Sequence, residues 1–147
     1  MNYSEFTKKQ LIELVKELTA VKGESVTGSK IAYQECLKVV KNHKQENFIA
    51  IYLDNAYKVI ESRLVTLGTL NQSLVHPREV FAPAIELRAA SIIVGHNHPS
   101  GNTEPSNEDI LVTKRLIEAG KILGIDILDH IIFTANSHTS LKAENLM

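Results

Sequence analysis

The chain of 147 residues holds one cysteine, Cys36, and no tryptophan. A single thiol excludes an intrachain disulfide and a Cys-rich zinc knuckle. A reducing, cytoplasmic setting is the simplest expectation. Charge of one sign is also lacking: 16 Lys and Arg stand against 17 Asp and Glu, for a net charge of −1. That balance gives no sign of a nucleic-acid or acidic-membrane partner. The basic residues are dispersed, and no aromatic–basic cluster suited to stacking on nucleic-acid bases occurs. No apolar run approaches the ~18 residues of a membrane span, so no membrane partner is expected. Met1 to Leu18 carries Glu5, Lys8, Lys9, Glu13, Lys16 and Glu17, and lacks the apolar core of a secretory leader.

The composition is that of an ordinary globular chain, 44% hydrophobic and 22% charged, which argues against disorder. The length suits one domain with a core of its own. Leu11, Val15 and Leu18 have helical spacing and predict a helix over 4–18. GESVTG (23–28) reads as a turn or linker, and 29–42 as a second helix with Ser29 as N-cap. The period then changes. FIAIYL (48–53) and Lys58 to Thr69 read as the strands of an antiparallel hairpin. His76-Pro77 opens a helix through Ala90, in which Pro83 predicts a kink or a restart. SIIVG (91–95) has a buried-strand pattern, and His96 to Pro105 reads as a loop. An amphipathic helix follows over 106–120, punctuated by Gly120 and Gly124. Ile125 to Phe133 reads as a strand, and Thr139 to Lys142 as a last edge strand. The fold class is α/β, a mixed β-sheet flanked by helices.

The chemistry concentrates in HNHPSGNTEPSNED (96–109). Histidines at i and i+2 leaving a strand point to one side of the sheet. A carboxylate, Asp109, stands in the first turn of the next helix. Two imidazoles and a carboxylate are ligands that zinc accepts, and three protein ligands leave a fourth position open, the mark of a catalytic site. Plainer readings compete: loop histidines need no metal, and Ser106-x-x-Asp109 is also a capping box. It is the ordered conjunction of strand, His-x-His-Pro, loop, Ser-x-x-Asp and helix that favours the site.

The pattern H-x-H-P-x6-S-x-x-D resembles the JAMM signature of the MPN/JAB metalloprotease fold, a cytidine-deaminase-like architecture. FIAIYLD, HPREVF, LRAASIIVGHNHPSG, TKRLIEAGKILGIDILDHIIF and the late HTSL (138–141) are similar to the RadC-like branch of that family. The resemblance covers roughly residues 29–142 and suggests a RadC-like JAB/MPN domain over 29–147 behind an N-terminal helix and linker, 1–28. Longer RadC proteins carry a helix-hairpin-helix-like region, for which 1–28 is too short. The resemblance implies one Zn2+ per chain on His96, His98 and Asp109. It implies Ser106 as the oxyanion donor and Glu46, just before the first apolar strand, as the catalytic base. Glu61 is the fallback base. The implied activity is hydrolysis of a peptide, isopeptide or related amide of an unknown peptide or protein substrate. The alternative is a DNA-repair-associated or scaffold protein of the same family without protease activity. A homo-oligomer is compatible with all of this.

Asp129 and His130 read as a buried structural pair, with orientation of a ligand histidine as the functional alternative. Glu79 is explained by its place at a helix start. His43, His76 and His138 carry no ligand spacing, and Cys36 reads as a core thiol. The tripeptide His-Asn-His is not an HNH nuclease, whose three residues are dispersed through a ββα motif. A zinc deaminase needs P-C-x-x-C, which one cysteine cannot supply.

Overall fold

The computed structural model of the chain describes residues 7–12, 25–69 and 75–147. Residues 8–12 are helical, and the remainder of the helix expected over 4–18 lies outside the described residues, as do Gly23 and Glu24 of the expected turn. The elements in order are α1 (Ser29–Val39), β1 (Asn47–Leu53), β2 (Val59–Leu67), α2 (Pro77–Glu86), β3 (Ser91–Asn97), α3 (Asn107–Leu123), β4 (Asp126–Phe133) and β5 (His138–Ser140). The five strands form one mixed sheet in the order β2-β1-β3-β4-β5. β1 pairs antiparallel with β2 and with β3, β3 pairs parallel with β4 across the α3 crossover, and β5 returns antiparallel on β4.

Layering follows from the apolar faces. All of β1 is buried, which is why NFIAIYL shows no alternation: both of its faces are covered. Phe48, Ala50, Tyr52, Ile92 and Val94 pack under α2 and α3 through Val80, Phe81, Val112 and Leu116. Ile49, Ile51, Ile93, Ile131 and Phe133 pack on the other face, under Ala32 and Cys36 of α1. Glycine is required at Gly95 by this packing, because a Cβ at that position would run into Cys36 Sγ. Tyr52 ties the central strand to α2 by donating its hydroxyl proton to the Val80 carbonyl, 2.7 Å away.

Several boundaries depart from expectation. α1 ends at Val39 rather than at 42, and its N-cap is Gly28, with Ser29 already the first helical residue. β3 runs through His96 and Asn97, so the first ligand candidate stands inside a strand rather than in the loop expected from 96 to 105. α2 runs through Pro83 without a restart, and it stops at Glu86 rather than Ala90. Its end is a Schellman turn with Arg88 in the left-handed region (φ 53°), Ala89 N–H bonded to Ala84 and Arg88 N–H to Ile85. α3 continues past Gly120 to Leu123 and ends on left-handed Gly124. Gly120 serves packing rather than termination, since a Cβ there would run into the Ile125 carbonyl oxygen. β5 covers His138–Ser140, with Leu141 and Lys142 already in a turn.

Candidate metal centre

The candidate site forms where β3 ends and α3 begins. β3 lies between β1 and β4, with His96 opposite Phe48 on one side and Ile132 on the other, so the His96 ring is fixed in the buried middle of the sheet. His98 follows the strand and is held by its backbone N–H on the Phe133 carbonyl. Asp109 arrives from the opposite direction. Ser106 caps α3 in a complete capping box: its Oγ accepts from Asp109 N–H at 3.1 Å, and Asp109 Oδ2 accepts from Ser106 N–H at 2.8 Å. The cap seen in the sequence is therefore present, and it turns the Asp109 carboxylate toward the histidines.

His96, His98 and Asp109 bring three ligand atoms within 4.8 Å of one another, a group able to hold a metal ion. His96 Nδ1 is 3.0 Å from Asp109 Oδ1, and His98 Nε2 is 3.0 Å from Asp109 Oδ2. His98 Nδ1 stands 2.8 Å from the Asn102 carbonyl, which can only accept, so Nδ1 carries the hydrogen. In neutral His98 the lone pair on Nε2 then faces a carboxylate oxygen, a repulsion that either a proton or a cation relieves. His96 donates from Nδ1 to Asp109, which leaves Nε2 as a buried atom without a hydrogen-bond partner. A cation accepting both Nε2 lone pairs and one Asp109 oxygen answers both problems, so the residues present fit a metal. The electrostatics agree. Burial opposes ionisation of Asp109, but hydrogen bonding to His96, His98 and the Ser106 N–H outweighs it and holds the carboxyl well below the usual carboxylate range. The bond to Asp109 raises His98 above its ordinary value against the cost of burial.

Glu46, from the turn before β1, places Oε1 4.0 Å from His96 Nε2. That is too long for a hydrogen bond and short enough for one small group to touch both. Glu46, His96, His98 and Ser106 line one open cleft of about 620 Å3, together with Gly68 and Thr69. Glu61 is elsewhere: it pairs with Arg63 on β2, opposite Tyr52 and so four residues, ~13 Å, along β1 from Phe48. The fallback is set aside on that ground.

Asp129 and His130 are both buried, but their side chains are not a pair. Asp129 accepts from His130 N–H, Lys142 N–H and Ser140 Oγ on the α1 face. His130 lies on the α3 face, its ring edge-on to Phe48. The Thr113 hydroxyl donates to the Asp109 carbonyl at 2.6 Å, so its bond with His130 Nδ1 must be donated by the imidazole. His130 thus reaches the backbone of a ligand candidate through Thr113. Two further polar residues escaped sequence reading, Asn47 and Asn97, both buried beside Glu46. The only signal for them was their adjacency to Glu46 and to the two histidines. His138 stacks on Tyr33, and His43 and His76 touch neither the cleft histidines nor Asp109 in any hydrogen bond of the structure. Among the described residues no helix is long and apolar enough to cross a membrane.

A profile of the RadC-like JAB domain matches residues 26–146. Relatives named UPF0758 protein match from several organisms. One from Methanospirillum hungatei is 62% identical over 99 residues, covering 67% of this chain and 44% of the relative. One from Desulforamulus reducens is 45% identical over 142 residues, covering 95% and 63%. One from Enterococcus faecalis is 41% identical over 131 residues, covering 89% and 56%. The chain spans about half the length of the relatives it matches. With the mixed five-stranded sheet, its flanking helices and this match across most of its length, the chain belongs to the RadC-like JAB domain family.

Proposed function

We propose that the protein is a zinc-dependent amide hydrolase of the JAMM type, acting on a peptide, isopeptide or related bond. The observation that carries the reading is the buried, unpartnered His96 Nε2 facing the Glu46 carboxylate at 4.0 Å beside Asp109 and His98. His96, His98 and Asp109 would hold the ion, and zinc bound there lowers the pKa of a coordinated water toward 7. The chain's own groups do the rest. Glu46, which among the described residues is the carboxylate that both lines the cleft and borders His96 Nε2, takes the proton of the attacking water and returns it to the leaving amine. Ser106 Oγ already accepts from Asp109 N–H, and its hydroxyl proton is free to donate where negative charge develops on the substrate oxygen. One serine can therefore cap the helix and stabilise the oxyanion together.

The test separates binding from chemistry. Wild type and Glu46→Gln should each hold about one zinc per chain, while Glu46→Gln loses about 10² to 10⁴ in rate on whichever quenched fluorescent peptide the wild type cleaves. Zinc content by atomic emission and turnover are measured on the same samples. Full activity in Glu46→Gln would move the base elsewhere, and loss of zinc would make Glu46 a ligand.

A further inference from the structure

Glu46 lies on a turn, outside the β1–β3 ladder, which ends at the Phe48–His96 pair. Beyond that pair the two strands are joined by side chains instead. Asn97 Oδ1 accepts from Asn47 N–H at 2.6 Å and from Asn47 Nδ2 at 3.1 Å, and Asn97 Nδ2 donates to the Gln45 carbonyl at 2.9 Å. Asn97 Nδ2 also reaches the His43 carbonyl at 3.5 Å. Asn47 Nδ2 shares its two hydrogens among Asn97 Oδ1, the Gln45 carbonyl at 2.9 Å and the Asn42 carbonyl at 3.0 Å, and Asn47 Oδ1 is buried without a partner. The amide orientations are forced: a backbone N–H can face only an oxygen, and backbone carbonyls can face only the NH2. Both asparagines are buried, at 1% exposure or less. One side chain, Asn97, thus grips the peptide groups on both sides of Glu46, and it stands between the two histidines of the candidate centre.

We propose that Asn97, assisted by Asn47, is the positioning residue for the catalytic carboxylate, locking the turn that carries Glu46 to the strand that carries His96. The inference rests on the function proposed above. Packing does not fix an exposed turn to ångström tolerance, whereas four hydrogen bonds through one planar amide do. Carbonyls need donors, so an apolar or acidic side chain at 97 cannot substitute. Aspartate keeps the acceptor for Asn47 N–H but sets an oxygen against the Gln45 and His43 carbonyls.

The experiment uses zinc-loaded protein with Asn97→Asp and Asn97→Ala, each also on the Glu46→Gln background. Three readouts are taken: zinc content, backbone amide exchange by NMR, and turnover of the quenched peptide cleaved by wild type. Asn97→Ala should speed exchange of the Asn47 amide at least tenfold while Ile49 and Ile51 stay protected. Zinc should remain at about one per chain. Asn97→Asp should lower kcat about a hundredfold with KM within twofold, and should change the residual rate of Glu46→Gln less than twofold, because the group it positions is already disabled. A loss equal on both backgrounds, an unchanged Asn47 amide, or zinc lost with Asn97→Asp would overturn the proposal. Should Asn97→Ala fail to fold, Asn97→Asp carries the exchange readout at the Gln45 amide, whose bond to the Asn42 carbonyl depends on the clamped turn, because aspartate retains the acceptor of the Asn47 amide. An unchanged Gln45 amide then overturns the proposal. If wild type cleaves no peptide, the hydrolase reading fails by itself. The separation of Glu46 Oε1 from His96 Nε2 in crystals of Asn97→Asp then decides the clamp: growth beyond 4.0 Å supports it and an unchanged distance overturns it.

Discussion

Among the described residues two carboxylates are buried, Asp109 and Asp129, and they are satisfied in opposite ways. Asp129 faces a serine hydroxyl and two backbone N–H groups, donors that never change their protonation. Asp109 faces two imidazoles, one of which presents a lone pair when neutral. A buried carboxylate with permanent donors is complete and holds the fold together. One facing two imidazoles stays incomplete until a proton or a cation arrives, which makes it a candidate binding site. His130 joins the two: its backbone N–H serves Asp129 and its ring reaches Asp109 through Thr113.

The largest effect that would break this contrast concerns metal. Asp109→Asn should weaken zinc binding by at least about a hundredfold, since removing a ligand costs more than removing its supporting partner. Asp129→Asn should leave zinc affinity within about twofold. Competition titration against a chromophoric chelator measures both. Equal losses would mean that the two carboxylates belong to one structural unit and that Asp109 is no ligand.

Stability should show the reverse order. Asp129→Ala orphans two backbone N–H groups and a serine hydroxyl, and should lower unfolding free energy by about 3 kcal/mol. In zinc-free protein Asp109→Asn should cost less, because an amide oxygen in the Oδ2 place can still accept from Ser106 N–H while the NH2 in the Oδ1 place donates to His96 Nδ1 in its other tautomer. Urea midpoints of the apo variants decide it.

Much of this was legible in the sequence, for identifiable reasons. FIAIYL and SIIVG announce strands because central strands covered on both faces are continuously apolar. The α3 start is legible because Ser106 and Asp109 are cap residues whatever else they do. The extension of β3 through His96 and Asn97 was not, because polar residues buried for a site break the apolar signature. The α2 stop was hidden by Arg88, which takes a left-handed position where glycine is the usual signal, and Gly120 misled in the other direction, being demanded by the close approach of Ile125. No local pattern could reveal Asn47 and Asn97, whose bonds join positions fifty residues apart.

A third, smaller effect is the pH dependence of stability. Burial pushes His130 down to about 3, outweighing the charge of Asp109. Between the unfolded value of ~6.5 and the folded one, only the unfolded state takes the proton, so stability falls as pH drops through that window. The slope is about 1.4 kcal/mol per pH unit, or roughly 2 kcal/mol by pH 5. In apo protein His98 works the other way, because its raised pKa adds stability as pH falls toward ~6.5 from above, and that gain is fully present below ~6.5. The readout is therefore the difference between wild type and His130→Gln in urea melts at pH 7 and pH 5. His130→Gln should remove the acid-side loss, and a slope unchanged by the substitution would show that His130 takes a proton in the folded state.

The smallest stability effect comes from the serines that partner the two carboxylates, and it sharpens the comparison most. Ser106 Oγ accepts from Asp109 N–H, and Ser140 Oγ donates to Asp129 while accepting from Ala143 N–H. Each is one hydroxyl beside one buried carboxylate, so Ser106→Ala and Ser140→Ala should each cost about 1 kcal/mol, the first as a lost N-cap and the second as a lost hydrogen bond. Their melting curves should nearly coincide, and both proteins should keep zinc, since neither hydroxyl is a ligand candidate. They should part in turnover. Ser106 lines the cleft with Glu46 and His96, whereas Ser140 lines a separate cavity on the α1 face. Ser106→Ala should therefore lose a further 10²- to 10³-fold in kcat, the usual loss for an oxyanion donor, and Ser140→Ala should lose none. Matched stability removes the objection that a slower enzyme is merely a looser one. If both alanine variants turn over at the wild-type rate, Ser106 is a helix cap and nothing more, and the developing charge on the substrate must be met elsewhere in the cleft.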